Sequence, residues 1–116
     1  MTPESARQRI QTMDVLVARS DDGAVVGTIG AAALGSEGHI RGMAVVPTAQ
    51  GTGVADQLMQ SMEADLLAAG CSFVTLDTTA PLVRAIRFYE RHGYVRSGTV
   101  SDFFGMEIYE FRKNLE

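Results

Sequence analysis

A glycine-rich segment between a predicted strand and a predicted helix carries the clearest chemical signal in this sequence. It reads Gln-Gly-Thr-Gly-Val-Ala from Gln50 to Ala55 and directly follows the apolar stretch Met43–Pro47. Backbone N–H groups at the start of a helix have no intrahelical acceptor, and the helix dipole favours an anion beside them. Gly51 and Gly53 lack the side chains that would hold a phosphate away from these groups. We therefore interpret the segment as a candidate cradle for a pyrophosphate.

Other interpretations of the same segment differ in how well they fit. A dinucleotide fingerprint G-x-G-x-x-G begins at Gly51, but its sixth position is Asp56, whose carboxylate would disturb close packing of helix on strand. The acidic residue that would bind a ribose, Asp77, comes slightly late. No Gly-Lys-Ser/Thr follows, which excludes a nucleoside-triphosphate loop. A strand-to-helix turn that uses glycine only for its geometry stays open as an alternative.

The elements that position this segment follow from hydrophobic periodicity and turn residues. The predicted strands are Met13–Arg19, Ala24–Leu34, His39–Val46, Ser72–Thr78, Tyr94–Val100 and Met106–Lys113, with a turn at Gly35–Gly38. The predicted helices are a short polar one over residues 3–12 with Thr2 as N-cap, Gly53–Ala69, and one that begins at Pro81 and ends before Gly93. On the long helix one buried face is predicted, formed by Val54, Leu58, Met62 and Leu66. This order predicts an α/β (α+β) fold, a mixed sheet with helices packed on it, in a single domain over residues 1–116.

Composition describes an ordinary globular protein and narrows its partners. The 116 residues include 46% hydrophobic and 21% charged side chains, which suits one domain. A net charge of −4 is no footprint of nucleic-acid binding. With one cysteine, Cys71, and no cysteine–histidine spacing for zinc, we expect neither an internal disulfide nor a structural metal. The sequence has no apolar run long enough to cross a bilayer and no secretory signal at its start, so we expect a cytoplasmic protein without membrane contact.

Two motifs, in the right order, resemble the GCN5-related N-acetyltransferase (GNAT) family. The loop Gln50–Ala55 matches the family pattern Q/R-x-x-G-x-G/A and follows a strand that ends in Met43–Pro47. Downstream, Arg84–Tyr94 resembles the family's second helix, in which an aromatic pair and an acid precede a Gly-aromatic step. The resemblance covers about residues 13–113. It implies a mostly antiparallel mixed sheet flanked by helices, abbreviated at its N-terminus.

The resemblance also implies acetyl-CoA as co-substrate, without a metal. The backbone amides that would hold its pyrophosphate are those of Gln50, Gly51, Thr52, Gly53, Val54 and Ala55. Backbone groups of Met43 and Val45 would pair with the pantetheine arm as an added strand does. The Val45 amide would polarise the thioester carbonyl. Tyr89 would lie at the sulfur and protonate the leaving thiol, although position alone also fits a core tyrosine.

The general base stays open between several groups. An acceptor amine with a pKa of about 10 must lose a proton before it attacks at neutral pH. His39 lies on the strand before the loop, on one face with Met43 and Val45 by alternation, where the family often has a glutamate. Glu37 acting through water, or water alone, would also serve, and Asp77 ends the next strand near the expected cleft. An exposed strand-edge histidine is the structural alternative for His39.

Two departures from the family pattern set further expectations. Leu82 stands seven residues before Tyr89, where the family often has asparagine, which removes one polar contact to the pantetheine arm. About twelve residues precede the first predicted strand, where the family usually has a strand and one or two helices, so an abbreviated acceptor-side wall is expected. We expect a symmetric homodimer to cover this region. The predicted contact is the last strand, rich in Ile108, Tyr109 and Phe111.

The predicted function is therefore that of an acyl-CoA-dependent N-acyltransferase. It would move an acetyl group from acetyl-CoA to a small-molecule or peptide amine by direct attack on the thioester. The alternative is a domain that binds acyl-CoA without catalysis, in a regulatory or interaction role. The sequence does not identify the acceptor.

Overall fold

The computed structural model describes residues 6–10, 13–79 and 82–115. Its strands are β1 (Ala6–Ile10), β2 (Met13–Arg19), β3 (Val25–Leu34), β4 (Glu37–Val45), β5 (Phe73–Thr79), β6 (Val95–Phe103) and β7 (Met106–Asn114). Its helices are α1 (Val54–Ala68) and α2 (Val83–Arg91), and a 3-10 turn, Pro47–Ala49, precedes α1. Neither α1 nor α2 is long and apolar enough to span a membrane.

The described strands form one mixed sheet in the order β1-β2-β3-β4-β5-β7-β6. β4 and β5 run parallel and are connected through α1, whereas the other neighbouring strands are antiparallel. A mostly antiparallel mixed sheet with flanking helices confirms the predicted fold class. The two edges of this sheet are β1 and β6.

Helix α1 packs on the sheet through the face predicted from the sequence. The residues of that face, each no more than 2% exposed, are Val54, Leu58, Met62 and Leu66. Glycines in the sheet allow the helix to approach closely: a Cβ atom at Gly38 would lie 2.7 Å from Cδ1 of Leu66, and one at Gly27 would lie 2.9 Å from Cδ1 of Leu58. The core therefore lies between α1 and the middle strands, where interior packing leaves no room for extra methyl groups.

The helix predicted over residues 3–12 is wrong for the described part of that segment. Residues Ala6–Ile10 form β1, which pairs antiparallel with β2, so that Arg7 lies opposite Leu16 and Ile10 opposite Met13. A helix this short is marginal in water, whereas pairing with the outer edge of β2 satisfies the backbone groups of both strands. The predicted N-cap, Thr2, lies outside the described residues.

The other predicted boundaries agree with the structure to within three residues. β4 begins inside the predicted turn, because the turn uses only Gly35 and Ser36 and leaves Glu37 free to pair with Leu34. Helix α2 begins at Val83, and Pro81, predicted to open it, is not among the described residues. Early strand pairing across the tight turn explains the longer β4.

The predicted dimer contact is wrong in its placement, because β7 is an interior strand. β7 pairs with β5 on one side and β6 on the other. Phe111 belongs to the core and is 1% exposed, so it offers no surface to a partner. The sheet edge on this side belongs to β6, all of whose residues are exposed.

A β-bulge interrupts the pairing of β4 with β3. Gly42 lies opposite Gly30 and Ile40 lies opposite Ala31, so Arg41 has no partner in β3. One inserted residue reverses the alternation of side chains along the strand. The strand therefore has two halves that present different residues to each face.

The bulge overturns the prediction that His39, Met43 and Val45 share a face. Met43 and Val45 lie opposite Ile29 and Gly27, which face α1. His39 precedes Ile40, which also belongs to the α1-facing core, so His39 points to the opposite face of the sheet. Alternation predicts a common face only in a regular strand, and the sequence contains no signal that marks the bulge.

Candidate active site

A cleft of about 670 Å³ lies between the second half of β4, the loop before α1, and α2. It exists because β4 and β5 stop pairing at Ile40 and Leu76, while β4 continues to Val45 and β5 to Thr79. Most of the predicted site residues line it, namely Met43, Val45, Gln50, Gly51, Gly53, Ala55 and Tyr89. The fold thus brings the loop motif and the α2 motif to the same space, although they are far apart in sequence.

Two glycines in left-handed conformation shape the loop at one end of the cleft. Gly51 has φ +79° and Gly53 φ +89°, which L-residues with a side chain rarely adopt. No side chain caps α1. Several backbone N–H groups donate to no acceptor in the described chain, namely those of Gly51, Gly53, Val54, Ala55 and Asp56. Such a row of free donors at a helix start is an anion-binding arrangement.

Thr52 and Val54, also predicted to bind the cofactor, do not line the cleft with their side chains. The Val54 side chain is buried in the core. The Thr52 hydroxyl and amide both donate back to the carbonyl of Ala49, which holds the loop in shape. Within the site, Val54 offers its amide, while Thr52 acts as a loop brace.

The second half of β4 presents a free backbone edge to the cleft. The N–H of Val46 donates to the carbonyl of Val26 in β3 at 2.9 Å, so by alternation the backbone groups of Met43 and Val45 point away from β3. The Gln50 side chain donates to the Val45 carbonyl at 3.3 Å. The Val45 and Met43 amides remain directed at the cleft, where an extended molecule could pair with them.

Tyr89 projects from α2 into the cleft while its ring packs on the core. Its ring centroid lies 6.3 Å from that of Tyr94 and 6.4 Å from that of Phe111. Burial raises the pKa of its hydroxyl, which therefore stays protonated at neutral pH. The hydroxyl has no hydrogen-bond partner in the part of the chain that the structure describes. Tyr89 is thus both a packing residue and a proton donor available to a ligand.

Three charged residues in the cleft were missed by sequence reasoning. Arg84, Arg91 and Asp56 line it, and Arg91 donates to the Asp56 carboxylate at 2.8 Å. His92 contacts the same carboxylate oxygen at 2.7 Å. The guanidinium of Arg91, and next His92, hold the pKa of Asp56 below its usual range. The arginine spacing along α2, seven residues or about two turns, was the available signal.

His39, the predicted base, does not line this cleft. Its Nδ1 atom lies 2.8 Å from the hydroxyl oxygen of Thr75, and its Nε2 atom lies 3.5 Å from a carboxylate oxygen of Asp77. Glu37 accepts a hydrogen bond from the same Thr75 hydroxyl. The structure therefore brings together the candidate bases His39, Glu37 and Asp77, on the face of the sheet opposite α1.

A shallow groove of about 440 Å³ lies on that opposite face, over the second half of β4. Its walls include Thr28 and Gly30 from β3 and Gly42 and Ala44 from β4. The same stretch of β4 is therefore approached from the helix side by the cleft and from the other side by this groove.

Cys71 behaves as the buried small residue predicted from the sequence. It is 1% exposed, and its Sγ atom lies 3.7 Å from the carbonyl of Gly35. Burial raises the pKa of its thiol, so the thiolate form that acts as nucleophile is disfavoured. The structure gives no support to a catalytic role for this residue.

Comparisons of the fold identify similar solved structures. A GNAT-family protein from Desulfovibrio desulfuricans superposes with a TM-score of 0.82 at 20% identity, over 90% of this chain and 70% of that one. The ribosomal-protein-S18-alanine N-acetyltransferase from Escherichia coli gives 0.81 at 15% identity, over 93% and 72%. The spermidine/spermine N-acetyltransferase SpeG from Vibrio cholerae gives 0.77 at 16% identity, over 90% and 66%. At these identities the likeness establishes the fold.

The sequence comparisons establish the family. A search of curated proteins gave no significant match. A family model described as the acetyltransferase (GNAT) family matches residues 2–94, which include the loop, α1 and all of α2. The chain belongs to the GNAT acetyltransferase family.

Proposed function

We propose that this protein is an N-acyltransferase that moves an acetyl group from acetyl-CoA, the co-substrate of its family, to an amine. The observation that carries the proposal is the meeting of three features in one cleft. These are a loop of free backbone N–H groups, an unpaired edge of β4 and the protonated hydroxyl of Tyr89. An anionic end, an extended amide-bearing arm and a leaving thiol are the parts of coenzyme A that these features match.

The residues that would hold coenzyme A divide by chemistry. The loop amides around Gly51 and Gly53 face the pyrophosphate, since no other acceptor in the described chain takes their protons. The backbone of Met43 and Val45 pairs with the pantetheine arm. Leu82, where the family often has asparagine, is half-exposed and offers no hydrogen bond to that arm.

The catalytic roles follow from the same arrangement. The amide of Val45 donates to the thioester oxygen as negative charge develops on it. Tyr89 gives its proton to the departing sulfur. His39 takes the proton of the amine, directly or through water, with Glu37 and Asp77 as the other candidate bases.

The test is release of coenzyme A thiol from acetyl-CoA in the presence of an amine panel. Suitable members are propylamine, spermidine, lysine methyl ester and a peptide with an N-terminal alanine, since two neighbouring folds act on polyamines or on a protein alanine. Thiol release that depends on one of these amines supports the proposal. Tight binding of coenzyme A without amine-dependent release would contradict it.

A second candidate is an acyl-CoA-binding domain without catalysis. It is favoured by one observation: His39 lies on the opposite face of β4 from the cleft, so the base is not part of the cofactor-binding surface. Binding of acetyl-CoA with an intact thioester after prolonged incubation with every amine would select this candidate.

We also propose a homodimer that forms through the edge of β6. A free strand edge invites pairing with another strand, and the adjacent hairpin exposes Phe103 and Phe104, the latter 94% exposed. A two-fold axis would place the two β6 strands side by side. Sedimentation at micromolar concentration should show a dimer that Phe104→Glu weakens, and a monomer for the wild type would refute it.

A further inference from the structure

A chain of hydrogen bonds links β4 and β5 at the point where the two strands separate. Glu37 and His39 come from β4, and Thr75 from β5, directly opposite His39 in the register. Gly38, which lies between the two β4 residues, faces α1 and contacts Leu66, so its neighbours face away from the helices. The chain of bonds therefore lies on the face of the sheet opposite α1.

The direction of each hydrogen bond in this chain is set by the single proton of Thr75. An ionised carboxylate only accepts, so Thr75 gives its proton to Glu37. The hydroxyl oxygen can then only accept from His39, whose Nδ1 lies 2.8 Å away. Thr75 is 3% exposed, so its hydroxyl is shielded from bulk water. The arrangement requires a proton on Nδ1 of His39.

Fixing the proton on Nδ1 leaves Nε2 of the neutral imidazole as an acceptor. Nε2 lies 3.5 Å from a carboxylate oxygen of Asp77, which also only accepts when ionised. Two acceptors at this separation do not bond to each other. An ammonium group that lies beside both atoms and directs one N–H bond at each satisfies both.

We propose that Thr75 and Glu37 are positioning residues that hold His39 as the Nδ1–H tautomer, so that Nε2 takes a proton from the acceptor amine. The inference rests on the proposed function. The proton passes from the ammonium nitrogen through water to Nε2, and the freed lone pair forms the new C–N bond at the thioester carbon. The C–S bond breaks, its electron pair leaves with sulfur, and Tyr89 protonates the thiolate. The nitrogen then loses its second excess proton, which passes through water to the Tyr89 oxygen and restores the hydroxyl.

The test combines the ring signals of His39 with a conservative rescue. In ¹⁵N-labelled full-length protein at a pH where the ring is neutral, wild type should show Nδ1 protonated and Nε2 bare, and Thr75→Ser should match it. Thr75→Val should shift the ring toward the Nε2–H form. The control is Thr78→Val, because Thr78 is also buried on β5 but its hydroxyl has no hydrogen-bond partner among the described residues; it should leave the His39 signals unchanged.

Turnover of acetyl-CoA with propylamine as the probe should follow the tautomer. In Thr75→Val the value of kcat/KM should fall about tenfold or more, because the wrong tautomer cannot accept at Nε2. Thr75→Ser should restore it. Coenzyme A affinity, measured by calorimetry, should be the same in wild type, Thr75→Ser and Thr75→Val, since Thr75 lies on the face of the sheet opposite the cleft.

Three results would overturn the inference: Nε2–H as the wild-type tautomer, ring signals unchanged in Thr75→Val, or a tautomer change without loss of turnover. These differ from failure of the proposed function, which would appear as wild-type protein that binds no coenzyme A. The ring signals decide the positioning role in either case.

Discussion

The two halves of β4 share one strand but differ in what they contact. The first half, Glu37–Ile40, pairs with β3 on one edge and β5 on the other. After the bulge at Arg41, the second half, Gly42–Val45, pairs with β3 alone and turns its other edge to the cleft. A backbone edge without partners is costly in a protein interior and is available to a ligand. A bulge and an early end to pairing with β5 therefore separate the first half of β4, which stabilises the sheet, from the second half, which forms the site.

The largest expected effect is on the rate of the reaction in the cleft beside the second half of β4. Tyr89→Phe removes the hydroxyl and keeps the ring that packs near Tyr94 and Phe111. We expect kcat to fall by about 10- to 100-fold, at or below the low end of general-acid effects, because a thiolate leaves with little help. The KM for acetyl-CoA should stay unchanged, which marks an interaction made in the transition state. Steady-state kinetics with acetyl-CoA and the active amine measures both.

The matched control for this prediction is Tyr109→Phe, since the Tyr109 hydroxyl bonds to Glu107 outside the cleft. The control should keep full activity. A Tyr89→Phe protein that unfolds at lower temperature and binds coenzyme A poorly would make Tyr89 a core residue only. Full activity of a folded Tyr89→Phe would assign the proton to another donor.

The next effect compares stability in the two halves of the same strand. Gly38→Val places a Cβ atom 2.7 Å from Cδ1 of Leu66, which is buried, so the packed core must shift to admit it. We expect the free energy of unfolding to fall by about 1–3 kcal/mol, as overpacked cores do. Gly42→Val, in the second half, meets no atom within 4 Å at its Cβ position and should change stability by less than about 0.5 kcal/mol. Urea denaturation of both variants measures the difference, and equal losses would show that the halves are packed alike.

The smallest effect concerns the ion pair at the mouth of the cleft. The Arg91 guanidinium and His92 hold the pKa of Asp56 below its unfolded value of about 3.9. A lowered pKa stabilises the fold above the unfolded pKa, and this contribution is lost as pH falls through the folded value. Asp56→Asn should therefore lower the free energy of unfolding at pH 7 by less than about 1 kcal/mol, because the pair is partly exposed.

The difference between Asp56→Asn and wild type should close as the pH falls below about 4. Asp21→Asn, in the exposed turn after β2, is the control for the removal of one negative charge from the chain. Denaturation series at pH 7 and at pH 3 provide the measurement. A gap that widens in acid would contradict the assigned direction of the pKa shift.

Local patterns in the sequence predicted most of the strands and helices and the glycine loop that lines the cleft. The buried face of α1 and the order of the strands from β2 onward follow from periodicity and from turn residues with fixed conformational preferences. Likewise the sequence predicted a loop in which Gly51 and Gly53 leave the backbone accessible, and both glycines line the cleft. These features depend on residues close together along the chain.

What the sequence did not predict depends on contacts between distant segments. The strand β1 forms because β2 offers an edge, and the bulge at Arg41 depends on registration with β3. Because of that bulge, His39 lies on the face opposite α1, whereas Met43 and Val45 face α1. The Arg91–Asp56 pair joins the end of α2 to the start of α1, residues 35 apart in sequence. Propensity and periodicity contain no information about such pairings.

We propose that the loop after β4 binds the pyrophosphate of coenzyme A. Calorimetric titration of loop variants with coenzyme A tests this proposal. Gly53→Asp adds a carboxylate at the free amides, and Gly23→Asp adds the same side chain at a glycine with nearly equal φ, +86° against +89°, in the turn between β2 and β3, which does not line the cleft. Both carry similar backbone strain, so their difference reports charge at the site. We predict that Gly53→Asp weakens coenzyme A binding at least tenfold, about 1.4 kcal/mol, while Gly23→Asp binds like wild type. Unchanged affinity in folded Gly53→Asp, or equal losses in both variants, would contradict the account.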